Sequence, residues 1–92
     1  MKFEFDDSKS RSNKIKHGLD FAEAQAVWSE VRIEIDAKLG EGAQKRYAVL
    51  GKIKGIHHTV IITYRGAVIR IISARRSSEN EKTIYEQTIQ KK

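Results

Sequence analysis

Residues that could act on a phosphate are concentrated in two places. His17 follows Lys16 and precedes Gly18, at the end of a predicted helix, where a helix C-terminus favours positive charge. Imidazole is the commonest general acid or base near neutral pH, although a histidine at such a position is also an ordinary helix-end residue. Arg70 lies inside AVIRIIS, a strand otherwise built for burial, where an unpaired charge would cost several kcal/mol. Two readings follow. Either Arg70 is a structural arginine paired with a carboxylate from a helix, or it opens onto a groove shared with Arg46, Arg75 and Lys16. In the second case the cluster suits bidentate phosphate contacts and the charge of a pentavalent phosphate. Such a site could cut RNA with no metal, the ribose 2′-hydroxyl attacking the adjacent phosphate with help from a base. Strict alternation puts Arg70 on the face of Val68 and Ile72 and Arg75 on the other face with Ser73, unless the strand ends first.

Other chemistries find less support. His57 and His58 are adjacent on a predicted strand and therefore point to opposite faces, so they cannot readily share one ion. No H-E-x-x-H, phosphate-binding P-loop or G-x-S-x-G occurs. The chain has no cysteine, which removes disulfides, thiolate zinc sites and thiol nucleophiles. No metal and no cofactor are expected.

Charge distribution points to the partner. Residues 1 to 45 carry eight Lys and Arg against nine Asp and Glu, whereas residues 46 to 92 carry ten against three. A basic half of this kind attracts phosphates by Coulomb steering and counterion release, and RNA is the expected polyanion. Lys52, Lys54, Arg65 and Arg76 lie in that half and are the candidate RNA-binding residues. No apolar run reaches the roughly 18 residues of a membrane span, and the start, MKFEFDDSKS, alternates apolar with acidic residues rather than forming a signal-peptide core. The expected location is the cytoplasm, with no membrane partner.

The elements that must position these groups are legible in outline. Ninety-two residues leave room for one core, hence one domain, residues 1–92. Phe3 and Phe5 alternate with Glu4 and Asp6 as a short strand would. A polar helix should run from a cap at Asp7 or Ser8 to Gly18 in the left-handed position. Its only strong apolar residue is Ile15, so neighbours must hold it. Asp20 and Glu23 have capping-box spacing, and Phe21, Ala24 and Trp28 recur at helical spacing, with Trp28 read as core packing. VRIEID alternates strictly, placing Val31, Ile33 and Ile35 on one face. AKLGEGAQK is a polar, glycine-containing loop. Three β-branched runs, 46 to 53, 58 to 65 and 67 to 74, are separated by Lys54-Gly55 and Arg65-Gly66 and form an antiparallel meander. Ser78 and Glu81 make a second capping box for a C-terminal helix whose stripe is Ile84, Tyr85, Thr88 and Ile89. The class is α+β: an antiparallel sheet with two N-terminal helices and one C-terminal helix.

Taken together, FEFD near the N-terminus, N-x-x-KHG at Asn13 to Gly18, DFAEA at Asp20 to Ala24, RYAVLG at Arg46 to Gly51 and RIISARR at Arg70 to Arg76, with Glu81 and Tyr85 beyond, resemble the BrnT toxins of bacterial type II toxin-antitoxin modules. The resemblance implies a small RelE-like fold and a translation-inhibiting ribonuclease. It also implies a BrnA-like DNA-binding antitoxin, through which the pair reaches operator DNA indirectly. Lys16, His17, Arg46, Arg70 and Arg75 match the family's polar motif positions and are the functional set it implies. Where family members often carry a tryptophan and then a proline near FEFD, this chain has Phe5 and Asp7, and an alanine after RIISARR is Ser77. A competing reading keeps the basic face but not the catalysis: a nucleic-acid-binding protein, or a degenerate toxin serving as antitoxin partner and corepressor.

Overall fold

The computed structural model describes residues 1–37 and 45–90. Along the chain come β1 (Lys2–Glu4), α1 (Asp7–His17), a 3-10 helix (Glu23–Ser29), β2 (Ile33–Asp36), β3 (Tyr47–Ile53), β4 (Ile56–Arg65), β5 (Val68–Arg76) and α2 (Glu79–Gln90). The strands form one sheet in the order β1-β5-β4-β3-β2. The expected meander is present as β3, β4 and β5, antiparallel throughout, while β1 joins the edge parallel to β5. The α+β class holds, with two adjustments. The second N-terminal helix is a 3-10 helix, and the N-cap of α1 is Asp6, whose carboxylate accepts from the Lys9 amide at 2.9 Å. Val31 is exposed and lies outside β2, leaving Ile33 and Ile35 to carry its packed face. The polar loop expected at 37 to 45 lies outside the described residues except at its ends.

Turn chemistry explains the meander. Lys54 and Gly55 have φ of 52° and 79°, the pair of left-handed residues that a two-residue hairpin loop of type I′ demands. In the second hairpin Arg65 still pairs with Val68, so the turn is Gly66-Ala67, one residue later than expected, with glycine at φ 59° in its first position.

Each face of the sheet buries its own cluster. On the first, Val49, Val60, Ile62, Ile69, Ile71 and Ala74 meet Leu19, Phe21, Ala24 and Val27, and Trp28 stacks edge-on against Phe3 at 4.9 Å. On the second, Ala48, Leu50, Ile33, Ile35 and Ile61 meet Tyr85, Ile84 and Ile89 of α2. Gly51 leaves room for the 3-10 helix against the sheet: a Cβ there would stand 2.8 Å from Val27 Cγ1.

The docking of α1 is polar. Ile15 is 86% exposed, and the buried side chains of the helix are Ser10 and Asn13. The side chain of Asn13 donates to the Leu19 and Ala74 carbonyls, both at 2.7 Å, and its oxygen faces the Ala74 amide at 3.4 Å. Ser10 Oγ accepts from the Phe21 amide at 2.9 Å. β1 pairs only with the first part of β5, Val68 to Arg70. Asn13 supplies the hydrogen bonds that a longer edge strand would have given Ala74, satisfying backbone groups that burial would otherwise orphan.

Candidate nucleic-acid interface

Register determines which arginines can act together. Arg70 sits opposite Thr63 and Arg75 opposite Thr59. Thr59 and Thr63 are four residues apart on β4, an even spacing, so both arginines rise from the second face of the sheet. The expectation that they point to opposite faces is thereby corrected. The cause is a bulge: Ile61 pairs with Ser73 while Ile62 pairs with Ile71, which leaves Ile72 as an extra residue in β5 and reverses the alternation beyond it. Arg65 shares this face. Arg46 does too, since the ladder of β2 and β3 continues through an Ala37 amide donating to the Arg46 carbonyl at 3.0 Å, in step with Ala48 and Leu50.

Carboxylates hold the two central arginines. Arg70 Nη1 donates to Glu4 Oε2 at 3.0 Å, and Arg65 Nε lies 3.6 Å from the same oxygen. The partner of Arg70 is thus a neighbouring strand residue, aligned by the Glu4-Arg70 register, rather than a helix carboxylate. A helix carboxylate does hold Arg75: Nη1 and Nη2 donate to the two oxygens of Glu81 at 2.7 and 2.9 Å. Glu81 also accepts from the Thr59 hydroxyl at 2.9 Å and the Ser78 amide at 2.8 Å. The Arg75 guanidinium, and after it the Ser78 and Thr59 donors, hold the Glu81 carboxyl down at about 2, and Glu81 in turn raises Arg75 above its ordinary value. The capping box seen in the sequence is real, with Ser78 Oγ accepting from the Glu81 amide at 3.2 Å, and the same carboxylate clamps the arginine.

Lys16 and His17 are placed elsewhere on the surface. With Lys9, Ser12, Asn13, Phe21, Ile72 and Ser73 they line a cleft of about 210 Å³ between α1 and β5. Neither Arg70 nor Arg75 lines it. The link between the two groups is β5 itself, since the bulged Ile72-Ser73 step lies between the two arginines in sequence and forms one wall of the cleft. Gly18, at φ 75°, ends α1 by returning its amide to the Lys14 carbonyl at 2.8 Å, and so fixes where Lys16 and His17 emerge.

The four expected RNA-binding residues are dispersed. Arg65 joins Arg70 on the second face. Lys52 is on that face beneath α2, 3.3 Å from Glu86 and over the Tyr85 ring. Lys54 is exposed in the β3-β4 turn, and Arg76 is exposed at the end of β5, paired with His58 on the first face. The two adjacent histidines diverge as strand geometry requires: His57 Nε2 meets Glu86 at 2.7 Å, while His58 is buried with Nδ1 at 2.9 Å from the Ile56 carbonyl. Among the described residues no group of three or more His, Asp or Glu side chains is arranged to hold a metal ion. No helix among them is long and apolar enough to cross a membrane.

Glu4 as partner of Arg70, and Asn13 as cover for the edge of β5, carry roles that residue types alone did not reveal. The capping-box spacing of Ser78 and Glu81 was the visible signal for Glu81, though not for its hold on Arg75.

A family model described as the ribonuclease toxin BrnT of type II toxin-antitoxin systems matches residues 5–81. A search of curated proteins gives no match.

Proposed function

The chain belongs to the BrnT family of type II toxin-antitoxin ribonuclease toxins, and from that membership we propose that it inhibits translation by cutting RNA without a metal ion, using its own arginines in place of one. The observation that carries this reading is the β5 bulge, which brings Arg70 and Arg75 to one face of the sheet beside Arg65 and Arg46. There the guanidinium groups contact the phosphate and take up the negative charge that develops on its oxygens. The ribose 2′-oxygen forms a bond to phosphorus as the bond to the 5′-oxygen breaks, leaving a 2′,3′-cyclic phosphate and a free 5′-hydroxyl. The proton of the 2′-hydroxyl passes to a base, and the leaving oxygen receives one. Lys16 and His17 are the candidate proton carriers, which requires the RNA strand to cross the β5 edge between the arginines and the cleft that those two residues line. A type II toxin has an antitoxin, and a BrnA-like DNA-binding protein that links the pair to operator DNA fits this reading.

A defined single-stranded RNA incubated with the purified protein in EDTA provides the test. Cleavage to cyclic phosphate ends is expected, with a DNA of the same base sequence bound but uncut for want of the 2′-hydroxyl. Removing one preorganised charge donor commonly costs roughly 100- to 1000-fold in rate, so folded Arg70→Ala should lose cleavage on that scale. Full activity in that variant would remove Arg70 from the site, and cleavage only on addition of Mg²⁺ or Zn²⁺ would refute the metal-free chemistry. The carboxylate partners of Arg70 and Arg75 favour a second reading, a non-catalytic partner and corepressor. That reading is distinguished by RNA binding without cleavage and by normal growth on expression without antitoxin.

A further inference from the structure

The contact between Arg75 and Glu81 commits only part of the guanidinium. Five N–H donors lie in one plane and form two bidentate forks: an end-on fork with one N–H from each Nη, and a side-on fork of Nε–H with the outer N–H of Nη2. Glu81 occupies the end-on fork at 2.7 and 2.9 Å, and Nη1 donates in addition to the Arg76 carbonyl at 3.3 Å. Among the described residues no acceptor takes the side-on fork. The carboxylate that holds the arginine is itself immobilised by the Ser78 amide and by the hydroxyl of Thr59, a fully buried residue. Glu81 is mostly buried, with a side-chain exposure of 16%, whereas Arg75 is 37% exposed. The buried partner therefore anchors and the more exposed one is presented.

We propose that Glu81 is the positioning residue for Arg75, locking its guanidinium end-on so that the side-on fork receives a phosphate oxygen pair of the RNA substrate. The proposal rests on the reading of Arg75 as a phosphate-binding residue. An unheld arginine would have to freeze its long side chain as the phosphorane forms, and a donor already fixed avoids that reorganisation. Neutralisation is the opposite possibility: a carboxylate that merely cancelled the charge of Arg75 would weaken catalysis, and its removal would raise the rate.

The experiment compares kcat and KM for cleavage of a single-stranded RNA by the full chain and by Glu81→Gln, Arg75→Ala and the double variant. Glutamine suits the substitution because it is as well accepted as glutamate at that capping-box position, yet it faces the guanidinium with only one acceptor. Asp20→Ala, which breaks the other capping box, controls for lost stability: its denaturation midpoint should fall with kcat unchanged. Glu81→Gln should lower kcat roughly 10- to 100-fold, as misplacement of a catalytic group does, with little change in KM because the positive charge stays. The double variant should be no worse than Arg75→Ala alone, since the two residues act as one unit. Unchanged or increased kcat in Glu81→Gln, with Arg75→Ala impaired, overturns the positioning role. If Arg75→Ala cuts like the wild type, or the wild type does not cut, the phosphate reading fails first and the proposal falls with it.

Discussion

Asn13 should be one of the most costly single residues to truncate in this domain, although it is polar and sits on a short surface helix. Its side chain is 7% exposed and donates to two carbonyls at 2.7 Å, those of Leu19 and Ala74, the latter residue fully buried. The third contact, from the Ala74 amide at 3.4 Å, is too long to weigh heavily. Asn13→Ala leaves two buried acceptors without donors, each costing about 1–3 kcal/mol. Allowing for partial entry of water at the helix edge, the loss should be about 3 kcal/mol or more. In a domain of this size 1 kcal/mol moves Tm by about 4–8 °C, so the midpoint should drop by at least about 12 °C. Asn13→Asp should be no better, since a carboxylate has no N–H to give either carbonyl. Ile15→Ala, two residues along the same helix but 86% exposed, should stay within about 0.5 kcal/mol of the parent. Urea denaturation followed by circular dichroism measures all three. A loss below about 1 kcal/mol for Asn13→Ala, with an unchanged denaturant slope, would refute the claim that Asn13 replaces the missing edge strand.

Three further outcomes follow from the same structure. Gly51→Ala puts a methyl group 2.8 Å from Val27 Cγ1 in a packed interface and should destabilise by about 1–3 kcal/mol, read as a lower thermal midpoint. The Glu81 carboxyl titrates at about 2 in the folded chain against an ordinary value of 4.5. Its stabilising contribution is therefore complete above about 4.5 and is lost as pH falls toward 2, so acid titration of stability should be flatter in Glu81→Gln than in the parent. RNA affinity should fall linearly on a log-log plot against salt as counterions are released, with a shallower slope for Arg65→Ala, and a slope near zero for the parent would remove the phosphate-tracking face.

Local signals in this chain were legible because each rests on nearest-neighbour chemistry. Gly18 ends α1 in the left-handed conformation, Asp20 with Glu23 and Ser78 with Glu81 close reciprocal capping boxes, and Lys54-Gly55 turns a hairpin. What the residue pattern did not reveal depends on partners distant in sequence. α1 has no apolar stripe from which its docking face could be read, because it is held through Asn13 to Ala74, 61 residues away. The carboxylate opposite Arg70 comes from Glu4, 66 residues away, through a parallel pairing of β1 with β5 that nothing in either strand announces. Trp28 packs against the core as its α-helical spacing with Phe21 and Ala24 implies, but the 3-10 helix has a three-residue repeat, which makes Ala24 and Val27 its fully buried pair.

The bulge in β5 shows most clearly how a one-residue irregularity controls the candidate site. A regular strand with Arg70 and Arg75 five residues apart would direct them to opposite faces, and no cluster of the two could form. AVIRIIS reads as an ordinary strand rich in β-branched residues, so alternation alone predicts the wrong geometry. The extra residue restores a common face, and the Ile72-Ser73 step at which it occurs also lines the cleft that holds Lys16 and His17. The edge beside it cannot be closed by β1, which ends its pairing at Arg70, and Asn13 closes it instead. The asparagine of the N-x-x-KHG segment and the bulge of RIISARR are thus two halves of one structural solution. The first docks the helix that carries the candidate proton carriers, and the second aligns the arginines that would take the charge.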